Sequence, residues 1–291
     1  MARQQTLVLP AHDGTELFVR FFRGCVHPTL GCGCPTVVLV HGLGEHSGRY
    51  QHVAERLTQE QWNVVAFDQR GHGRSGGRPT HVKQFTDYLQ DLDRVWEFFD
   101  IAAGRSVLCG HSFGGLVSAR YAQTRAETVD LLVLLSPLLR LRIPINPLTL
   151  LAGHLCSKVF PTARFRSHLP RKLLTHDPQR LEQRQQDPLI HDSITAGWFF
   201  QMRKGLTDCW TAAPRLRAPV LVCQAGADAL VDPTAAVPFL RRVGSRDKTI
   251  KMYPHLYHEL LNEIQWQVIL EEIIAWIQER FFCNEKLRRC A

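Results

Sequence analysis

Two periodicities take turns along most of this chain. Residues 6–9 and 16–22 alternate apolar and polar positions on either side of Asp13-Gly14, the pattern of a hairpin closed by a tight turn. Residues 36–40, 62–67, 106–109, 131–135, 219–224 and 249–253 are short, nearly unbroken apolar runs. Such runs read as strands covered on both faces. Between them the apolar positions repeat at helical spacing: 47–59, 85–103 (apolar at 85, 88, 89, 92, 95, 96 and 99), 116–123, 233–243 and 264–282. Strand and helix in alternation predict an α/β fold, a mostly parallel sheet with helices on both faces.

The rhythm stops between residues 138 and 213. Pro144, Pro147, Pro161, Pro170, Pro178 and Pro188 cut this stretch into short helices and turns, with no strand expected. It reads as a helical cap inserted after the sixth strand, over the carboxyl edge where open α/β sheets bind ligands. The expected organisation is a core of residues 1–137 and 214–291 with a cap of 138–213. Leu148, Leu150, Leu151, Leu155, Phe160, Ile194, Trp198 and Phe199 are the candidates for an apolar pocket wall, in competition with a small core of the cap's own.

Composition narrows this picture. With 291 residues, 45% hydrophobic and 21% charged, the chain suits one core with an insertion. The start of the chain lacks the pattern of a signal peptide, and no stretch approaches the ~18 apolar residues of a membrane span. A soluble, cytoplasmic protein is expected. Residues 138–213 hold eleven Lys/Arg against five Asp/Glu, which is six of the chain's net +8. A basic cap beside an apolar entrance suits peripheral docking on anionic membrane, and a solvated basic face is the plainer alternative. Nothing resembles a nucleic-acid-binding module. The nine cysteines are odd in number and irregular in spacing. Cys109 and Cys223 belong to core strands, Cys32-Gly33-Cys34 is too tight for a zinc pair, and Cys25, Cys32 and Cys34 share one loop of unassigned role. No metal is expected.

The candidate chemistry centres on Gly110-His111-Ser112-Phe113-Gly114-Gly115, a G-x-S-x-G motif between an apolar strand and a helix. A sharp strand-to-helix turn lifts the serine hydroxyl into the open, and glycines on either side remove collisions with neighbouring backbone. A serine needs a base, and the base an acid, in the chain order Ser, Asp/Glu, His. The loop after residues 219–224 offers Asp228 and Asp232. Asp232 precedes Pro233 at a helix start and reads as an N-cap, so Asp228 is the preferred acid. The loop after residue 253 offers His255 and His258, and the longer reach of His258 makes it the preferred base. The oxyanion donors expected are the N–H of Phe113 and that of Leu43, in His41-Gly42-Leu43-Gly44. His41 itself is expected to hold that loop rather than act as a base.

His41-Gly42-Leu43-Gly44-Glu45-His46-Ser47-Gly48-Arg49-Tyr50 resembles the oxyanion loop of monoacylglycerol lipases and related lysophospholipases. Asp68-Gln69-Arg70-Gly71-His72-Gly73-Arg74-Ser75 is similar to their D-x-R-G-H-G-x-S turn, the serine motif to their elbow, and Asp187-Pro188-Leu189 to a cap motif. The similarity runs from about residue 6 to 282. It implies a capped α/β-hydrolase fold, no cofactor, an ester of a single acyl chain as substrate, and Glu45 and Arg49 at the head-group end of the pocket. Leu261 stands where some members carry a second histidine, and the loop 24–35 has no counterpart. The expected function is a serine hydrolase of monoacylglycerol or lysophospholipid-type esters acting through an acyl-enzyme. The rivals are a short-chain carboxylesterase or acyltransferase on the same residues, and a catalytically silent fold that binds a lipid or partner. Ser112 at the elbow excludes chemistry that needs a carboxylate there.

Overall fold

The computed structural model describes residues 3–24, 34–101, 103–142, 146–166 and 171–289. The strands in chain order are β1 (Arg3–Pro10), β2 (Glu16–Arg23), β3 (Thr36–Val40), β4 (Asn63–Phe67), β5 (Ser106–His111), β6 (Leu131–Leu135), β7 (Arg164–Arg166), β8 (Ser193–Thr195), β9 (Val220–Ala225) and β10 (Lys248–Tyr253). Eight of them form one sheet in the order β1-β2-β4-β3-β5-β6-β9-β10. β1, β2 and β4 pair antiparallel, and every pairing from β4 onwards is parallel. The opening hairpin turns at Gly14, whose φ of +80° suits glycine.

The helices are α1 (Gln51–Gln59), α2 (Thr86–Phe98), α3 (Phe113–Thr124), α4 (Pro147–Val159), α5 (Pro178–Gln186), α6 (Ala196–Thr211), α7 (Ala236–Arg242) and α8 (Trp266–Arg289). α1 and α8 cover one face of the sheet, and α2, α3 and α7 cover the other. The central strands are apolar throughout because successive residues point into different cores. Leu131, Val133 and Leu135 of β6 join the α1/α8 side, and Leu132 and Leu134 the α2/α3 side. Fully burying such a leucine contributes about 1.5–3 kcal/mol.

α2 stops earlier than its apolar spacing suggests. Asp100 takes a left-handed φ of 45°, and the N–H groups of Asp100 and Ile101 bond back to the carbonyls of Glu97 and Trp96. This is a Schellman-type stop, with aspartate in the position glycine usually fills. Hydrophobic periodicity does not report such a stop, because Phe99 still packs into the core.

Between β6 and β9 the chain leaves the sheet. It contains α4, α5 and α6, and also the short antiparallel pair β7–β8, against the expectation of no strand there. Three-residue strands leave too short an alternation to detect in sequence. Cys25 and Cys32 lie outside the described residues, and Cys34 is disulfide-bonded. No helix among the described residues is long and apolar enough to cross a membrane.

Candidate active site

β5 ends at His111, and α3 begins at Phe113, so Ser112 alone makes the turn. It has φ 54° and ψ −116°, a left-handed conformation that costs a non-glycine residue of order 1–3 kcal/mol. The surroundings hold it there. The Ser112 N–H donates to Leu135 O at 2.9 Å, and its carbonyl accepts from the N–H groups of Leu116 and Leu138. A Cβ on Gly110 would strike Ser118 Oγ and the backbone of Gly114, and one on Gly114 would strike the carbonyls of Val40 and His41. Both glycines are therefore demanded by close approach.

β9 and β10 deliver the other two groups. Asp228 lies in the loop after β9, fully buried, and its Oδ1 accepts from Leu230 N at 2.8 Å and Val231 N at 3.0 Å. Its Oδ2 lies 2.6 Å from His258 Nδ1. Burial alone would raise the Asp228 pKa, but the charge and hydrogen bond of His258 and the two backbone donors outweigh it, and the carboxyl sits below its usual value. An ionised Asp228 makes Nδ1 the protonated nitrogen and leaves Nε2 free to act as a base. Ser112 and His258 line the same cavity, with Gly42, Leu43, Phe113 and Leu230. Among the described residues no hydrogen bond is formed between the serine hydroxyl and the imidazole, and such contacts are commonly looser before substrate arrives.

Asp232 caps the turn at Pro233, accepting from Thr234 N at 2.9 Å, and His255 is exposed. His41 Nε2 accepts from Gln69 N at 2.9 Å, so its Nδ1 proton goes to Gly42 O at 2.7 Å. Burial keeps this imidazole pKa below its ordinary value. Thus His41 is a neutral brace for the glycine loop. The N–H groups of Leu43 and Phe113 have no acceptor among the described residues, and both residues line the cavity.

Glu45 and Arg49 occupy a buried hub. Glu45 Oε1 accepts from Gly42 N at 2.6 Å, Tyr50 OH at 2.8 Å and His111 Nδ1 at 3.1 Å, while Oε2 meets Arg49 Nη1 at 2.5 Å. Arg49 also grips Glu259, beside the histidine, at 3.0 and 2.5 Å. Burial raises the Glu45 pKa, but Arg49 and His111 overcome it and hold the carboxyl well below its usual range. The Glu45 oxygens are spent on protein donors, so the residue orients the Leu43 loop while it lines the cavity. His111 went unnoticed in the sequence. Burial disfavours its cation, but Glu45 reverses this and raises its pKa, and its Nε2 lies 3.3 Å from the His258 carbonyl. Its place as the variable residue of G-x-S-x-G, beside the serine, was the available signal.

The expected pocket wall requires correction. Trp198 is 1% exposed, packs 4.9 Å from the Phe113 ring and donates Nε1–H to Tyr88 OH at 3.0 Å. It stands behind Phe113, outside the cavity lining. Leu148, Leu151, Leu155 and Phe160 are 59–76% exposed, because α4 rests on α6 through His154 and Phe200 and turns its apolar side outwards. Leu150, Ile194 and Phe199 are not in the lining either. The apolar wall comes instead from Leu43, Phe113, Leu138, Leu141, Leu174, Leu230 and Val231.

Residues 33–265 match the family described as Serine aminopeptidase, S33. Rat monoglyceride lipase is 32% identical over 277 residues, covering 92% of this chain and 88% of that protein. The chain belongs to the monoacylglycerol lipase-like family of α/β-hydrolases. By that membership it is a carboxylic ester hydrolase. The crystal structure of Paleococcus ferrophilus monoacylglycerol lipase superimposes with a TM-score of 0.82 at 29% identity, covering 91% of this chain and 99% of the other. An abhydrolase domain-containing protein of Dictyostelium discoideum is 33% identical over 84% of this chain, which spans only 26% of that longer protein. The α/β-hydrolase fold read from strand order is the fold of this family.

Proposed function

We propose that the protein is a serine hydrolase of lipid esters carrying a single acyl chain, of the monoacylglycerol or lysophospholipid type. The observation that carries this reading is the 2.6 Å contact of Asp228 with His258, which lines the same cavity as Ser112. Ser112 Oγ attacks the ester carbonyl carbon while His258 Nε2 takes its proton. Asp228 holds the imidazole and stabilises the imidazolium. The oxyanion accepts from the N–H groups of Leu43 and Phe113, each donor of this kind being worth about 10²–10³ in turnover. The alcohol leaves with the proton from His258, and water, deprotonated by the same nitrogen, releases the fatty acid and restores the serine.

The region 138–213 is the cap in this reading. The outward leucines of α4, with Lys158, Arg164, Arg166 and Lys172 close by in the chain, suit peripheral contact with an anionic membrane from which the acyl chain is drawn. No cofactor takes part. The test is profiling of purified protein on 1-monoacylglycerols and lysophospholipids of graded chain length, beside Ser112→Ala. Fluorophosphonate labelling should fall on Ser112 and vanish in the variant, with lipid-ester turnover. Labelling that persists in Ser112→Ala, or folded protein that no serine probe modifies, overturns the proposal.

A further inference from the structure

A second cavity adjoins the one at Ser112. It measures about 140 Å³ and is bounded by His46, Gly48 and Arg49 from the core and by Arg180, Arg184 and Asp187 from the cap. Arg180 and Arg184 stand four residues apart on α5 and so share one helix face. Arg184 lines both cavities. An alcohol portion that extends past Arg184 from the ester carbonyl therefore enters the neighbourhood of Arg180.

The lining of this second cavity carries Arg49, Arg180 and Arg184 against one carboxylate, Asp187. Glu45 and Glu259 are taken up by Arg49, with Nη–O distances of 2.5 Å to each. Asp187 Oδ2 lies 2.7 Å from His46 Nε2, and its Oδ1 accepts from Leu189 N at 2.9 Å. Arg184 forms a looser ion pair with Glu259, at 3.6 Å. Arg180 has no ion-pair partner among the described residues, although it is partly buried on this wall. Burial presses the Arg180 pKa downwards, and Asp177 only partly offsets that. The cavity thus holds guanidinium donors whose fork geometry matches phosphate oxygens, and its one acidic lining group, Asp187, is bonded to His46 on the same wall.

We infer that this cavity is a head-group subsite for a phosphate, with Arg180 and Arg184 as the residues that select an anionic lysolipid over a neutral monoacylglycerol. The inference rests on the ester-hydrolase reading above and names the substrate class of that same site. Phosphate chemistry could also arrive as a free anion, and the experiment separates the two sources.

Purified enzyme and Arg180→Gln are assayed on 1-oleoylglycerol and on 1-oleoylglycerol 3-phosphate in identical neutral detergent micelles. The wild type should prefer the phosphate ester in kcat/KM. Arg180→Gln should cut the ratio of phosphate to neutral ester about tenfold, chiefly through KM, and Arg180→Lys should keep most of it. Glycerol 3-phosphate should compete with the phosphate ester, and about tenfold less well in Arg180→Gln. A ratio unchanged in Arg180→Gln overturns the inference. So does inhibition by inorganic phosphate or glycerol 3-phosphate without any preference for the phosphate ester, which would mark a free-anion site. Turnover of the neutral ester with no phosphate preference removes this inference alone. Absence of all ester turnover and of Ser112 labelling removes the proposed function and this inference together.

Discussion

The carboxyl edge of the sheet and the helices α4 and α5, which lie between β6 and β9 in the chain, are held by different means. At the edge, the buried carboxylates and His41 are densely hydrogen-bonded, although Gln69 Oε1, His72 Nε2 and Asn262 Oδ1 are buried without a partner. Glu45 receives four donors, Asp228 three, and His41 is bonded at both ring nitrogens. No residue of α4 and no residue of α5 is buried. The segment between β6 and β9 is anchored instead by α6, which buries Trp198, Met202 and Cys209 in the core, and by bonds that include Thr195 to Thr80, Glu259 N to Leu174 O, Thr175 and His176 to Asn262 and Glu263, His191 N to Gly44 O, and His46 to Asp187. A paired edge keeps reacting groups aligned, whereas α4 and α5 carry little packing of their own. Substitutions at the edge should therefore change chemistry or stability, and those on the cap should change selectivity or surface binding.

The contrast breaks most visibly at Asp228. Asp228→Asn should preserve the fold and lower kcat by about 10⁴ on a soluble p-nitrophenyl ester, because the amide no longer holds the base in the required tautomer. Steady-state kinetics with circular dichroism check both halves. A kcat within tenfold of wild type would place the acid elsewhere.

The next largest effect lies in the sheet beneath. Leu132→Ala removes a fully buried side chain and should cost about 2–5 kcal/mol in urea denaturation, whereas Leu151→Ala on α4 should stay within about 0.5 kcal/mol. Equal costs at the two positions would mean that the cap is as tightly packed as the core.

The edge should also be the acid-sensitive region. His72 is fully buried there and its pKa is lowered to about 3, chiefly by burial. The unfolded chain binds this proton below about pH 6.5 and the folded chain only near 3, so this contribution is complete above pH 6.5 and is lost as pH falls towards 3. Stability should drop by about 2 kcal/mol from pH 7 to pH 5 on this account. His72→Gln should flatten the slope of urea midpoint against pH. An unchanged slope would show that other groups dominate.

The smallest effect on the folded enzyme, and the one that sharpens the contrast, belongs to α4. Leu151→Asp with Leu155→Asp should leave turnover of a soluble p-nitrophenyl ester within about twofold, because both side chains already face outwards. Binding to phosphatidylglycerol-containing vesicles in a sedimentation assay should fall. Retained vesicle binding would direct attention to the basic residues instead.

Much of the edge was legible in the sequence because its determinants are local. G-x-S-x-G between a strand and a helix announces the strained serine, and Asp232-Pro233 announces an N-cap, which leaves Asp228 as the candidate acid. The cap was harder to read. Leucines at helical spacing in α4 looked like pocket lining, yet that face is exposed, and Trp198 looked like a substrate contact, yet it packs behind Phe113. Spacing identifies an apolar face without saying what covers it.

By itself, the sequence determined the alternation of strand and helix, the place where the sheet is interrupted, and the turns that glycine and proline impose. Those features follow from backbone sterics and from which residues avoid water, and both are properties of short segments. Tertiary structure alone decided that Glu45 became a buried acceptor shared by Gly42, Tyr50, His111 and Arg49. It also set α5 so that Arg180 and Arg184 face Arg49. A charged side chain is buried only where distant parts of the chain supply its partners, and no local pattern carries that information.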